Sequence, residues 1–374
     1  MNSIVATKLS YRYCRKAVKP LDSIKIIVKE CCSALNINEP QIIFCESLKK
    51  EFEAFSLRGE PFFIYDGCLI ELLYLYDCIL FSNLDKADID KLFYKLYGEE
   101  LILSDDVLHS MYFTGKYSSM EFSFENYSFN NTNILEYLSI QNYFLIGHEL
   151  THLSFIKAFK RTIPPEYRKF VVALLAGLAE KDVTPEKTIK DVLKDRAEYF
   201  SDTTPESIEE YITVLNESQK FDHFLEECYC DYMGFKLLIE HYENASKSVD
   251  AILSALNCLL TLECIRNDLR DGISCIKKAH RIANRALYFS LIRTELLLCT
   301  IEISNLNTSS ALEGIHNRIV ITDRLKEFIS CLPDEKLNEL SDDNLPSIPM
   351  KQIIDSMIKQ LYYSSVSPEL YKFS

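Results

Sequence analysis

The chain has 374 residues, 48% hydrophobic and 26% charged, with only 9 Gly and 11 Pro; this is the balance of a globular protein built on long helices, not of a disordered chain or a many-turned β architecture. A formal net charge of −14 without an extended Lys/Arg run leaves no electrostatic footprint for a phosphate backbone or an anionic lipid surface, so neither nucleic acid nor membrane is the expected partner.

Lys8, Arg12, Arg15, Lys16, Lys19 and Lys25 are spread through the first thirty residues. They leave no apolar core for a signal peptide, and the expected location is cytoplasmic. The thirteen Cys have no repeating spacing and read as small buried hydrophobes in a reducing compartment. Up to about residue 130 the pattern is mixed α/β, with a helix over 21–35 and strands at "QIIFCES" and "PFFIYDG". The window "CLIELLYLYDCILF" reads as the most apolar, but Glu71 and Asp77 interrupt it. It is too short and too polar to span a bilayer, and no transmembrane helix is expected. "SSMEFSFENYSF" alternates Met120, Phe122 and Phe124 with polar residues before the turn-forming "NNTN", which predicts a half-buried strand, with a helix as the competing reading.

From 131 to 305 the periodicity is helical almost throughout, broken at "RTIPPEY", with Thr-Pro-Glu at 184–186 and 204–206 as helix starts. Beyond 306, "NRIVITDRLKEFISCL" and "MKQIIDSMIKQLYY" are amphipathic. The expected fold is therefore α+β and predominantly α-helical, arranged as a mixed region 1–130, a helical core 131–305 and a helical extension 306–374.

Within the helical core, "YFLIGHELTHLSF" sets His148, Glu149 and His152 in an otherwise apolar run. Residues four apart project from one face of a helix about one turn from each other, so both imidazoles reach a single ion. Glu149 lies about 100° further round, beside the ion and not on it. In this H-E-x-x-H arrangement the imidazoles hold Zn²⁺, the ion acidifies a bound water and the carboxylate takes the proton. The competing reading is a core helix with two satisfied histidines.

Two histidines do not make a catalytic zinc site; a third ligand is required. "FDHFLEECYCDYMGF" supplies one, with Glu227 and Asp231 at i, i+4 and Gly234 a turn later, while Phe224, Cys228, Tyr232 and Phe235 form an adjoining apolar stripe that turns the carboxylates inward. An inward carboxylate without a cation is expensive. Glu227 then ligates the ion and Asp231 accepts the second N–H of a ligand histidine. Glu226 is the rival ligand, but its i+4 neighbour is Cys230, and Cys228 and Cys230 are alternative thiolate donors. Gly147 and Gly234 stand where two helix backbones would approach closely. A solvated acidic edge is the plain alternative.

With both motifs in view, the chain resembles the gluzincin metallopeptidases. The gap of 75 residues from His152 to Glu227 (227 − 152) is more like that of the prenyl-protein peptidases and their soluble relatives than the short gap of thermolysin, and the soluble phage-exclusion peptidase Lit carries the same type of motif. The resemblance implies a zincin-like core with His148, His152 and Glu227 as zinc ligands, Glu149 as base and Asp231 supporting a histidine. It also implies a cationic residue after the second motif, for which "AHRIANRALY" offers His280 and Arg285, with Arg281 where the relatives have a proline.

The expected activity is that of a zinc metalloendopeptidase acting on a protein or peptide substrate, with His280, Arg285 or His223 as donor to the oxyanion. Should a sheet edge from the N-terminal region pass the zinc, the substrate would add to it as an extended strand. The alternatives are a zinc-binding interaction or regulatory protein without catalysis, against which an intact Glu149 argues, and a zinc hydrolase of a non-peptide bond.

Overall fold

The structure, a computed structural model, describes residues 22–126, 131–155, 162–179, 221–242, 245–270, 273, 292–294, 296–298, 300–301, 309–333, 337, 339–340 and 346–361. It is predominantly helical with one small sheet, as the composition implies. Helix α1, Asp22–Leu35, opens on an acidic first turn and buries Ile24, Val28, Cys31, Cys32 and Leu35 along one face. Strands β1 (Gln41–Cys45), β2 (Glu53–Leu57) and β3 (Glu60–Asp66) form a sheet of order β1-β3-β2. β1 runs parallel to β3, and β2 pairs antiparallel with it from Glu53↔Ile64 to Leu57↔Glu60. Arg58 (φ 55°) and Gly59 (φ 88°) make the two-residue turn between them, both left-handed as the twist of a tight hairpin demands. The strands expected at "QIIFCES" and "PFFIYDG" are β1 and β3; β2 was not foreseen, and it is the strand nearest the site.

Phe63 and Tyr65 turn one face of the sheet to the main core, where Phe52 lies 4.7 Å from Tyr65, ring to ring. Asp66 ends β3 and caps helix α2 (Gly67–Phe81) by accepting from Cys68 N at 2.9 Å, and it also accepts from Ser47 N at 2.9 Å. Helix α2 is buried along most of its length, so its two acids need partners. Glu71 meets Lys95 at 3.1 Å, and Asp77 accepts from Ser254 at 2.5 Å and Gln141 at 3.1 Å. Helices α3 (Lys86–Leu103) and α4 (Val107–Ser118) follow, each capped by an aspartate, Asp85 and Asp106.

Over its described part, 118–126, "SSMEFSFENYSF" does not form the expected strand; a 3₁₀ turn occupies Ser123–Asn126. Asp88 of α3 accepts from both the backbone N–H and the hydroxyl of Ser123 at 2.6 Å, which holds the chain in a turn. Phe122 and Phe124 are both buried and stack at 4.6 Å. Two aromatics at i, i+2 therefore share a face here without a strand, which is how the alternation misled.

Helix α5 (Asn131–Ser154) carries the histidine motif, and α6 (Pro165–Ala179) starts after the break at "RTIPPEY" with Pro165 at its first position. The remaining helices are α7 (Phe221–His241), α8 (Ala245–Leu269), α9 (Ser309–Ser330) and α10 (Met350–Leu361). The helix starts expected at 184–186 and 204–206 lie outside the described residues. Among the described residues one helix, Ser246–Leu269, is long and apolar enough to cross a membrane by length and composition. In this fold 78% of its apolar window is buried, the situation of a core helix. A single apolar cluster runs from Ile24 to Leu361 and takes in residues of every helix from α1 to α10.

Candidate metal centre

Helices α5 and α7 make the most extensive contact between elements of the fold, and two glycines set how closely they approach. A Cβ on Gly234 would lie 2.8 Å from the carbonyl oxygen of Phe144 and 3.1 Å from the amide nitrogen of His148; one on Gly147 would lie 3.2 Å from the Gly234 Cα. Only a pair of residues without Cβ lets the backbones touch here. Phe224, Cys228 and Phe235 are buried beside this contact, so the stripe foreseen in the sequence anchors α7 and swings its carboxylates toward α5.

The two motifs meet. His148, His152 and Glu227 offer ligand atoms that all lie within 4.8 Å of one another. His152 Nε2 is 3.4 Å from Glu227 Oε1 and His148 Nε2 is 3.6 Å from Glu227 Oε2. For metal–ligand bonds of 2.0–2.1 Å, the ligand atoms of a tetrahedral site are about 3.3 Å apart, close to the two histidine–carboxylate distances here. Each imidazole is held from behind: His148 Nδ1 lies 2.9 Å from Asp231 Oδ1, and His152 Nδ1 lies 2.8 Å from Glu226 Oε1. A carboxylate accepts only, so Nδ1 carries the hydrogen on both rings and Nε2 is turned inward. Asp231 stands where the sequence put it. Glu226 is not one of the three clustered groups; it supports the second histidine, a role that sequence reasoning missed because it weighed Glu226 only as a ligand. Cys228 and Cys230 are buried, and burial pushes both thiols well above their ordinary range, so they behave as packing and not as thiolate donors.

Glu149 projects beside the cluster, with Oε1 4.0 Å from His148 Nε2, and Oε2 accepts the backbone N–H of Ala54 in β2 at 3.3 Å. Its carboxyl is raised above the ordinary range by burial, which outweighs the two nearby imidazoles, the direction that suits a group meant to take a proton near neutrality. The Ala54 contact also fixes which way the sheet faces. β2 is an edge strand, and in its antiparallel pairing alternate residues turn their N–H and C=O away from β3. Ala54 does so toward Glu149, and Ser56, two residues on, does so in the same direction.

A residue the sequence reading overlooked completes the group. Arg293 donates from Nε and Nη2 to the two oxygens of Asp231, both at 2.9 Å, and its Nη1 lies 3.0 Å from Glu227 Oε2. Burial alone would raise the carboxyls of Glu227 and Asp231; the hydrogen bonds and charges of His148 and Arg293 win, and both stay below the ordinary carboxylate range, Glu227 far below. The same carboxylates act on His148: burial opposes its protonation, but Asp231 and Glu227 push it up to about 10. The excess negative charge at this point draws in a cation, whether a proton on His148 or a metal ion between the ligand atoms. His223 has its Nδ1 4.0 Å from Glu227 Oε1, but its side chain is 68% exposed. His280 and Arg285, named as donors from the sequence, lie outside the described residues. No family model, no curated protein and no solved structure matches this chain.

Proposed function

We propose that the chain is a zinc-dependent metallopeptidase of the gluzincin type, with a zincin-like core, acting on a protein or peptide. The observation that carries this reading is the convergence of His148, His152 and Glu227, from two helices distant in sequence, with Glu149 next to them and an edge strand alongside. When bound, zinc supplies a Lewis acid for the scissile carbonyl and lowers the pKa of a water. His148 and His152 would hold it through Nε2, and Glu227 through a carboxylate oxygen. Glu149 takes the proton from the nucleophile and hands it to the leaving amine, which its raised carboxyl pKa favours. The Ala54 N–H is held by Glu149, so β2 offers an extended chain the outward C=O of Ala54 and the outward N–H and C=O of Ser56, and a peptide carbonyl is delivered beside Glu149. An edge strand at the base favours a peptide over other hydrolysable bonds. Glu149 beside the cluster also speaks against a purely structural zinc, which has no use for a carboxylate base.

Metal analysis of the purified protein tests the ligand set: wild type holds one zinc, Glu227→Ala loses it, and Glu226→Ala keeps most of it. Cleavage of a peptide library tests the chemistry. Glu149→Gln is expected to keep zinc and the wild-type melting temperature while the rate falls by about 10²–10⁴. Full cleavage by Glu149→Gln, or full zinc in Glu227→Ala, overturns the assignment.

A further inference from the structure

We propose that Arg293 is the positioning residue of the metal site: it holds Glu227 as a one-oxygen ligand and locks Asp231 behind His148, so that one guanidinium aligns two of the three metal-binding side chains. This inference rests on the metal-centre reading above and adds to it a residue that neither histidine nor carboxylate spacing reveals.

The geometry is a closed ring of contacts. Arg293 Nε and Nη2 grip both oxygens of Asp231 at 2.9 Å; Asp231 Oδ1 meets His148 Nδ1 at 2.9 Å; His148 Nε2 faces Glu227 Oε2 at 3.6 Å; and Glu227 Oε2 returns to Arg293 Nη1 at 3.0 Å. Two consequences follow from which atoms are used. Glu227 has one oxygen held by the arginine, so Oε1, 3.4 Å from His152 Nε2, is the oxygen left for an ion. Asp231 is held at both oxygens, so it cannot rotate away from His148 without breaking a bidentate pair, the strongest arrangement a guanidinium makes with a carboxylate.

The side-chain type matters. Glu227 and Asp231 are one helical turn apart on α7, and two like charges at that spacing repel, the more so when burial removes water from between them. A planar fork with donors in three directions bridges them; a lysine ammonium is a point charge that satisfies one carboxylate well or two poorly. Arg293 stands on a separate helical stretch, residues 292–294, and its side chain is only 19% exposed. The residue therefore braces two carboxylates of α7 from a third segment, and the metal site is built by three segments instead of two.

The test is cobalt substitution of the full chain, read by the visible d–d spectrum and by competitive titration with a chelator. Wild type is expected to take up one Co²⁺ with the intense bands of a four-coordinate centre. In Arg293→Gln both oxygens of Glu227 are free to ligate. The bands should then weaken toward a five-coordinate spectrum, and affinity should fall about 10–100-fold, the range for loss of a group that orients a ligand. Arg293→Lys should lie between, and it carries the test alone if the glutamine variant does not fold by circular dichroism. An unchanged spectrum and affinity in the folded variants overturns the role of Arg293 while leaving the metal centre standing. Failure of wild type to bind Co²⁺ overturns the metal centre and this inference with it.

Discussion

The protein buries two groups of charges, and they are balanced differently. In the first, Lys50 sits 3.3 Å from both Glu99 and Glu100, Lys95 is 2.6 Å from Glu99 and 3.1 Å from Glu71, and Arg266 reaches Glu100 at 3.3 Å and Glu51 at 2.9 Å. Lys49 adds a pair to Glu51 at 2.9 Å, so four basic residues face four acidic ones there and the charges balance. In the second, Glu149, Glu226, Glu227 and Asp231 surround two imidazoles, and the one permanent cation among the described residues is Arg293. Four carboxylates against one guanidinium leave a deficit of three. The first group closes its own accounts with protein side chains and ties β-sheet loop, α2, α3 and α8 together; the second leaves room for about two more positive charges at one point, which is what a divalent ion provides.

Breaking the first group should therefore cost stability and leave the second intact. Lys95 also donates to the backbone carbonyl of Leu361 at the end of α10, so Lys95→Met strips Glu71 of the ion pair it makes and α10 of a cap in one step. Removing one partner of a buried pair costs about 3–5 kcal/mol, and urea denaturation of the variant should show a loss of that order. Zinc content per folded molecule should stay at the wild-type level. Loss of zinc from molecules that remain folded would mean that the two groups are one electrostatic unit and that the contrast drawn here is wrong.

A smaller loss with the opposite signature is expected at the helix contact. Gly234→Ala places a methyl 2.8 Å from the Phe144 carbonyl oxygen, which is backbone and can yield only by moving α7. Overpacking of this kind costs about 1–3 kcal/mol, and since α7 carries Glu227 and Asp231 its shift should weaken zinc binding measured by chelator competition. Gly115 is the control. Nothing lies within 4 Å of a Cβ there, and on α4 alanine should stabilise by about 0.5–1 kcal/mol. Equal effects at the two glycines on both readouts would show that the close approach of α5 and α7 does not position the site.

The two glycines also show what the sequence could and could not tell. Gly147, Gly234, His148, His152, Glu227 and Asp231 were legible because helical periodicity is local: four-residue spacing places side chains on one face before any tertiary structure is known. β2 was not legible. "EAFSL" is five residues, all half-buried, and what makes it a strand is its partner β3 and a left-handed turn at Arg58, not its own pattern. Glu226 was read only against the ion, although an acceptor for the second histidine is required by the same argument that assigned Asp231 to the first. Arg293 left a signal that went unused: it interrupts the apolar run "LYFSLIRTELLLC" just as the histidines interrupt theirs, and a permanent cation in such a run needs a buried anion. The family pattern points instead to Arg285, which lies outside the described residues.

Asp77 sharpens the comparison from a third side, because it is a buried carboxylate with no cation beside it among the described residues. It accepts from Ser254 and Gln141, and its Oδ2 is buried without a hydrogen-bond partner among the described residues. Burial, only partly offset by those two donors, pushes its carboxyl up to about 7 from an ordinary 3.8. The sign follows: between about pH 4 and pH 7 the folded chain keeps a proton that the unfolded chain has lost, so stability from this residue is full below pH 4 and falls as pH rises through 7. Asp77→Asn removes the charge and with it the loss. The variant should match wild type within about 0.5 kcal/mol at pH 4 and exceed it by roughly 1–2 kcal/mol at pH 8, less than the full linkage because the amide must repack against Ser254 and Gln141. Melting temperatures across that range decide it. A gain that is the same at both pH values would mean that Asp77 is not titrating, and that even a carboxylate without a cation can be kept charged in this core, which would weaken the inference from excess negative charge to a metal at His148, His152 and Glu227.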